Sequence, residues 1–177
     1  MVADFVRLRE ARAYPASVRA GIVMHQRVDS FTDSHSLVAV SKRRMPPPYR
    51  RYAGILVDVF YDHFLAAQWR RFSPAVPLEQ FSRRAYRVLS EHEPVLPPRL
   101  RRILPYMIEQ DWLASYRRIA GIERTLQGIS RRLRRQNPLP EAASLLGEHY
   151  GELESDFLAF FPELMRFVRE PGSSSQR

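Results

Sequence analysis

Asp58, Asp62 and His63 fall within one stretch, Tyr52–Trp69, whose other residues are mostly apolar: YAGILVDVFYDHFLAAQW. Positions three and four apart share a helix face. The spacing therefore sets Asp62 among Ile55, Val59, Leu65, Ala66 and Trp69, with Asp58 one turn earlier on the same core-facing side and His63 at its border. No Lys or Arg occurs between Tyr52 and Trp69. Carboxylates on a core-facing surface need a compensating cation, and none is offered locally. His25 and Asp29 repeat the pattern on a helix predicted from Pro15, sharing a face with Val18, Gly21, Ile22 and Val28. A divalent cation would satisfy both sets together. Cysteine-free, oxygen-rich ligation suits Mn2+ or Mg2+, and imidazole draws the preference toward manganese or iron. Such an ion polarises a phosphoryl oxygen and acidifies its bound water, so a phosphodiester could be hydrolysed without a covalent intermediate, with Asp29 or Asp58 orienting the water.

Each of these groups also has an ordinary role open to it: helix cap, hydrogen-bonded core histidine, or partner of an arginine from a neighbouring helix. Convergence of the five on two faces is what favours the ion. His35 reads as a surface loop residue and His92 as part of an exposed turn. His149 reads as a core histidine bonding across helices.

The elements that must carry these residues are helical throughout. The pattern predicts helices from Pro15, through Leu37–Arg44 with Thr32-Asp33-Ser34 as its cap signal, over Arg50–Arg71, and over Leu78–Glu91. Further helices follow at Leu100–Gln110, Trp112–Tyr116, from Gly121 into the basic run at Arg131–Arg135, and over Glu141–Val168, where Pro162 should kink or split the last one. Proline-rich breaks at 46–48, 94–98 and 137–140 separate them. No period-2 strand pattern appears. The expected fold is an all-α, single-domain bundle of about six to eight helices spanning residues 1–168, followed by a disordered tail.

At 177 residues, 45% of them hydrophobic, the chain can fill one core. It has no cysteine, which excludes a disulfide framework and thiolate zinc sites. Apolar runs are broken by charge before membrane-spanning length, so a soluble cytoplasmic protein without a membrane span is expected. With 28 basic against 19 acidic residues and a net charge of +9, an anionic partner is expected. The aromatics mostly occupy core positions rather than alternating with the arginines, which argues against nucleic acid. No Gly-rich phosphate loop, GxSxG or HExxH motif is present, leaving P-loop, α/β-hydrolase and zincin chemistries unsupported. The residues alone leave a metal-dependent phosphohydrolase acting on a nucleotide or other small phosphoester, or a non-catalytic basic module binding acidic protein or RNA, as alternatives.

Several blocks closely resemble the bacterial acyl carrier protein phosphodiesterases. They are ADFVR (Ala3–Arg7), AGIVMHQRVDSFTDSH (Ala20–His35), RRYAGILVDVFYDHFL (Arg50–Leu65), QDWL (Gln110–Leu113), GIERTLQGISRRLRR (Gly121–Arg135) and HYGELESDFLAFFPELM (His149–Met165). The resemblance implies an all-helical His-Asp phosphohydrolase of non-standard form, dependent on manganese. It implies hydrolysis of the phosphodiester joining 4'-phosphopantetheine to a serine of acyl carrier protein. It also implies Asp4, His25, Asp62 and His63 as metal ligands, with Asp29 and Asp58 in catalytic roles. Acyl carrier protein is acidic, so its recognition is expected on Arg131, Arg132, Arg134 and Arg135, with Arg43 and Arg44 second. Family members carry a further apolar helix ahead of the ADFVR block that supplies another histidine. For a chain starting at Met1, an open hydrophobic groove beside Met1–Phe5 and self-association are expected.

Overall fold

A computed structural model describes residues 16–133 and 135–170. Asp4, Met1–Phe5, Arg134 and the expected tail at 171–177 lie outside the described residues. Within them the fold is all-α, as expected. Ten helices follow one another: α1 (Ala16–Ser34), α2 (Ser36–Arg43), α3 (Ala53–Ala67), α4 (Trp69–Phe72), α5 (Leu78–Glu91), α6 (Pro98–Glu109), α7 (Trp112–Ser115), α8 (Ile119–Ser130), α9 (Ala143–Glu148) and α10 (Tyr150–Arg169). Short 3₁₀ turns occupy Tyr49–Tyr52, Glu93–Val95 and Leu139–Glu141. No described helix is long and apolar enough to cross a membrane.

α3 is the axis of the main core because it is apolar on nearly every side. Leu56, Val57, Phe60 and Phe64 are fully buried, and α2, α8 and α10 pack around them. Each such side chain contributes about 1.5–3 kcal/mol by leaving water. Aromatic rings lock α3 to α10: Tyr61 meets Phe157 edge-on at 5.3 Å between centroids, and Phe64 stacks on Phe157 at 5.9 Å. A smaller core lies between α5 and α6, where Tyr86, Leu89, Leu96, Leu100, Leu104 and Met107 are buried, with Trp112 and Leu113 of α7 packed against them.

The QDWL block is the corner that ties this smaller core to the rest. Asp111 takes a left-handed backbone (φ 40°) and caps α7 by accepting from the Ala114 N–H, while Ser82 Oγ donates to its other oxygen at 3.2 Å. The Tyr86 hydroxyl accepts from the Leu113 N–H at 2.9 Å. α8 then leaves α7 so closely that a Cβ on Gly121 would overlap the Ser115 carbonyl. This is a close approach only glycine permits.

Three boundaries differ from those the sequence suggests. Thr32-Asp33-Ser34 remains inside α1, and α2 is capped by the His35 side chain, which accepts from the Leu37 N–H at 3.3 Å. His35 is the one residue linking α1 and α2, as a loop reading implies, but it is packed rather than on the surface: its ring lies 5.3 Å from Phe31 and 4.9 Å from Phe160, and Nε2 pairs with Glu163 at 3.2 Å. The central helix stops at Ala67, and Gln68, held by Glu154 at 2.6 Å, separates it from the single turn α4. The last helix breaks at His149 rather than at Pro162, which α10 carries in its interior on an exposed position.

Candidate functional site

The packing of α3 decides which of its polar residues can do chemistry. With three helices around it, the buried arc runs through Leu56, Val57, Val59, Phe60, Tyr61, His63, Phe64 and Ala66. The remaining stripe carries Asp58 and Asp62, both exposed. This corrects the core-facing placement expected for the two acids and exchanges them with His63. Because almost every other α3 residue is apolar, the wheel alone does not say which arc the neighbours cover. Left toward solvent, the carboxylates avoid the desolvation cost that a core position would impose.

His63 is 3% exposed. Its Nδ1 lies 2.9 Å from the Tyr116 backbone carbonyl and its Nε2 lies 3.2 Å from the Tyr150 hydroxyl. A carbonyl only accepts, so Nδ1 carries the proton and Nε2 accepts from Tyr150. Burial holds the ring's pKa below its ordinary value, against the opposing pull of the Tyr116 carbonyl and Glu154. In this geometry His63 is a buried histidine with both ring nitrogens engaged within the protein. The cross-helix bond expected of His149 is made by its neighbour Tyr150.

On α1, His25 Nε2 stands 3.3 Å from an Asp29 carboxylate oxygen, one turn away, with side-chain exposures of 30% and 56%. A carboxylate that holds an imidazole in this way orients it. α1 packs on α2 and α10, whereas α3 packs on α2, α8 and α10, so the two pairs stand on helices without an extensive shared interface. Among the described residues no three His, Asp or Glu side chains come together closely enough to hold a metal ion. The described donors therefore do not by themselves fit the divalent ion that the resemblance implies.

A third acid, Asp156 of α10, was not singled out by the sequence. It is buried and accepts from Ser41 Oγ at 2.8 Å and from Arg44 Nε at 3.1 Å, while Ser41 also bonds the Tyr61 hydroxyl at 2.9 Å. Burial, more than any other influence, pushes the Tyr61 hydroxyl up to about 12. Arg44 thereby has a structural role as the partner of a buried acid. Arg43, Arg131, Arg132 and Arg135 are exposed as a recognition surface requires. Arg132 donates to the Gly128 carbonyl at 2.9 Å, and partial desolvation by the surrounding chain, followed by the charge of Arg99, lowers its guanidinium below the ordinary arginine value although the side chain is exposed.

Comparison with known proteins agrees with the blocks noted above. The family model described as acyl carrier protein phosphodiesterase matches residues 1–164. A protein of that name from Klebsiella pneumoniae subsp. pneumoniae is 38% identical over 168 residues, covering 95% of this chain and 87% of the relative. One from an Enterobacter species is 39% identical over 165 residues (93% and 86%), and one from Yersinia pestis is 36% identical over 166 residues (94% and 86%). No solved structure matches.

Proposed function

The chain belongs to the acyl carrier protein phosphodiesterase family, and from that premise we propose that it releases 4'-phosphopantetheine from holo-acyl carrier protein. Water attacks the phosphorus, the bond between phosphorus and the carrier's serine oxygen breaks, and that oxygen takes up a proton to leave apo-carrier. Family membership over nearly the whole chain carries this reading. It is supported by Asp58 and Asp62, which are exposed on the central helix, where a carboxylate can orient the attacking water, and by the oriented imidazole of His25. We also propose a Mn2+ requirement, with Mg2+ or Fe2+ as substitutes. The ligands it would draw on are those the resemblance implies, Asp4, His25, Asp62 and His63, with Asp29 and Asp58 left to orient the water.

An acidic carrier suits the arginine surface. We place its recognition on Arg131, Arg132 and Arg135, with Arg43 second, where charge raises the association rate more than the final affinity. Incubation with holo-acyl carrier protein and Mn2+, followed by intact-mass measurement, tests the proposal. The expected result is loss of the phosphopantetheine mass from the carrier, and a carrier of unchanged mass would overturn it. Hydrolysis of a nucleotide phosphodiester with no loss from the carrier would favour the small-phosphoester alternative. Binding of carrier or RNA without any hydrolysis would favour the non-catalytic one.

A further inference from the structure

Beyond Asp62, where α3 ends, the surface opens into a hollow. One turn beyond Asp62 the helix presents two alanines, Ala66 and Ala67, and their small side chains floor a cavity of about 310 Å³ between the end of α3 and the start of α5. Trp69 and Leu78 supply apolar wall, and Arg70 and Arg117 supply hydrogen-bond donors at its edge. Trp69 is fixed there by two contacts: its indole N–H donates to the Val76 carbonyl at 2.7 Å, and its ring lies 4.9 Å from Phe81. Arg117 is held at the mouth by Glu79 at 2.8 Å and follows Tyr116, whose carbonyl bonds His63, the neighbour of Asp62. Among the described residues Arg70 has no carboxylate partner and is exposed.

We infer that this hollow binds the pantetheine arm of the substrate, with the arm's phosphate end toward Asp62; the inference rests on the function proposed above. A pantetheine arm is slender and largely uncharged, with a branched apolar head, two amides whose carbonyls accept hydrogen bonds, and an anionic phosphate at one end. A narrow floor of alanine, an indole wall and a few convergent donors match that chemistry, and the volume is at the lower end of small-ligand sites. The position of Asp62 one turn before Ala66 on α3 supplies the direction. Ala66 lies four residues along the same helix, about 6 Å of axial rise, so an arm seated on the alanines brings its phosphate to the acid stripe.

The test is calorimetric titration with 4'-phosphopantetheine, which reads binding whether or not the carrier is turned over. The unmodified protein should bind it. Ala67→Phe fills the floor from an exposed position at the end of α3 and should weaken binding at least tenfold. Arg70→Glu removes an edge donor and should weaken it severalfold, with both variants keeping the parent's circular dichroism and melting temperature. In carrier hydrolysis the Ala67→Phe effect should fall on KM more than on kcat. No heat from the unmodified protein, or equal affinities in all three proteins, overturns the inference. Binding that Ala67→Phe abolishes, in a protein that never hydrolyses the carrier, would keep the groove and overturn the activity alone.

Discussion

His63 donates from Nδ1 to the backbone carbonyl of Tyr116 at 2.9 Å, bonding the centre of α3 to the turn between α7 and α8. In the neutral ring that burial favours, Nε2 keeps its lone pair for the Tyr150 hydroxyl. Burial lowers the folded-state pKa below the ordinary 6.5, with Glu154 opposing the shift. The unfolded chain therefore binds the proton more readily than the folded one, and stability rises with pH across the interval between the two values. His63's contribution should be complete above pH 6.5 and decline below it. Urea unfolding at pH 7.5 and 5.5 should show this decline, and His63→Asn should flatten it. A His63→Asn protein with the parent's full slope would remove the ring as its source.

Tyr150→Phe isolates the other half of the same contact. It leaves Nε2 of a buried imidazole without its donor while keeping the Tyr150 ring against Phe64, where the centroids are 5.1 Å apart. A loss of about 1–2 kcal/mol is expected, since the net worth of such a bond is modest but an unsatisfied buried acceptor adds to it. Thermal melting at pH 7.5 measures this, and the loss should shrink when His63 is already Asn.

Asp58 and Asp62 should behave oppositely to His63. Both are exposed, where a carboxylate's pairing is worth about 0–1 kcal/mol, so Asp58→Asn and Asp62→Asn should change stability by no more than about 1 kcal/mol. On the proposed function each should reduce carrier hydrolysis by two to four orders of magnitude, the usual range for a group that positions or activates the nucleophile. Melting curves and mass-resolved turnover on the same samples separate the two effects. A large drop in melting temperature would mean that the carboxylates are structural after all.

How much of this was legible in the chain varies from residue to residue. The helix over α3 follows directly from its apolar run, and Leu78–Glu91 was bounded as α5 is. Which side of α3 is buried was not legible, because a helix apolar almost all round offers two plausible arcs and the choice belongs to α2, α8 and α10. Pro162 looked like a breaker. Proline costs only one donor and a local clash, which an exposed interior position tolerates, while the actual break at His149 has no proline to announce it. Asp156 reads as one acid among many until Ser41 and Arg44 are brought to it from more than a hundred residues away. The groove escapes a linear reading because its lining comes from three separate segments.

Gly121 is the tightest point of the fold that a single atom can test. A Cβ there would overlap the Ser115 backbone, which cannot move without dragging the cap of α7 at Asp111. Gly121→Ala should gain helix propensity worth about 1 kcal/mol and lose more than that to the overlap, since over-packing against backbone costs about 1–3 kcal/mol or more. Net destabilisation is expected. At Gly128, in the same helix with open space around it, the same change should stabilise. Denaturant midpoints for the two variants should move in opposite directions.

The paired arginines Arg43 and Arg44 give the sharpest contrast between surface and structure. Arg44 is bonded to buried Asp156, so Arg44→Ala leaves a carboxylate with only Ser41 and should cost about 1–3 kcal/mol of stability. Arg43 is exposed and should cost nothing measurable when removed. If the basic surface recruits an acidic carrier, Arg43→Ala combined with Arg131→Ala and Arg135→Ala should raise KM severalfold at low salt. The difference from the parent should vanish as ionic strength rises, because exposed charges are screened within about 10 Å at 0.1 M salt. KM measured across a salt series decides this. A KM difference that persists at high salt would mean that these side chains make short-range contacts rather than steer, and no difference at any salt would move the docking surface elsewhere on the molecule.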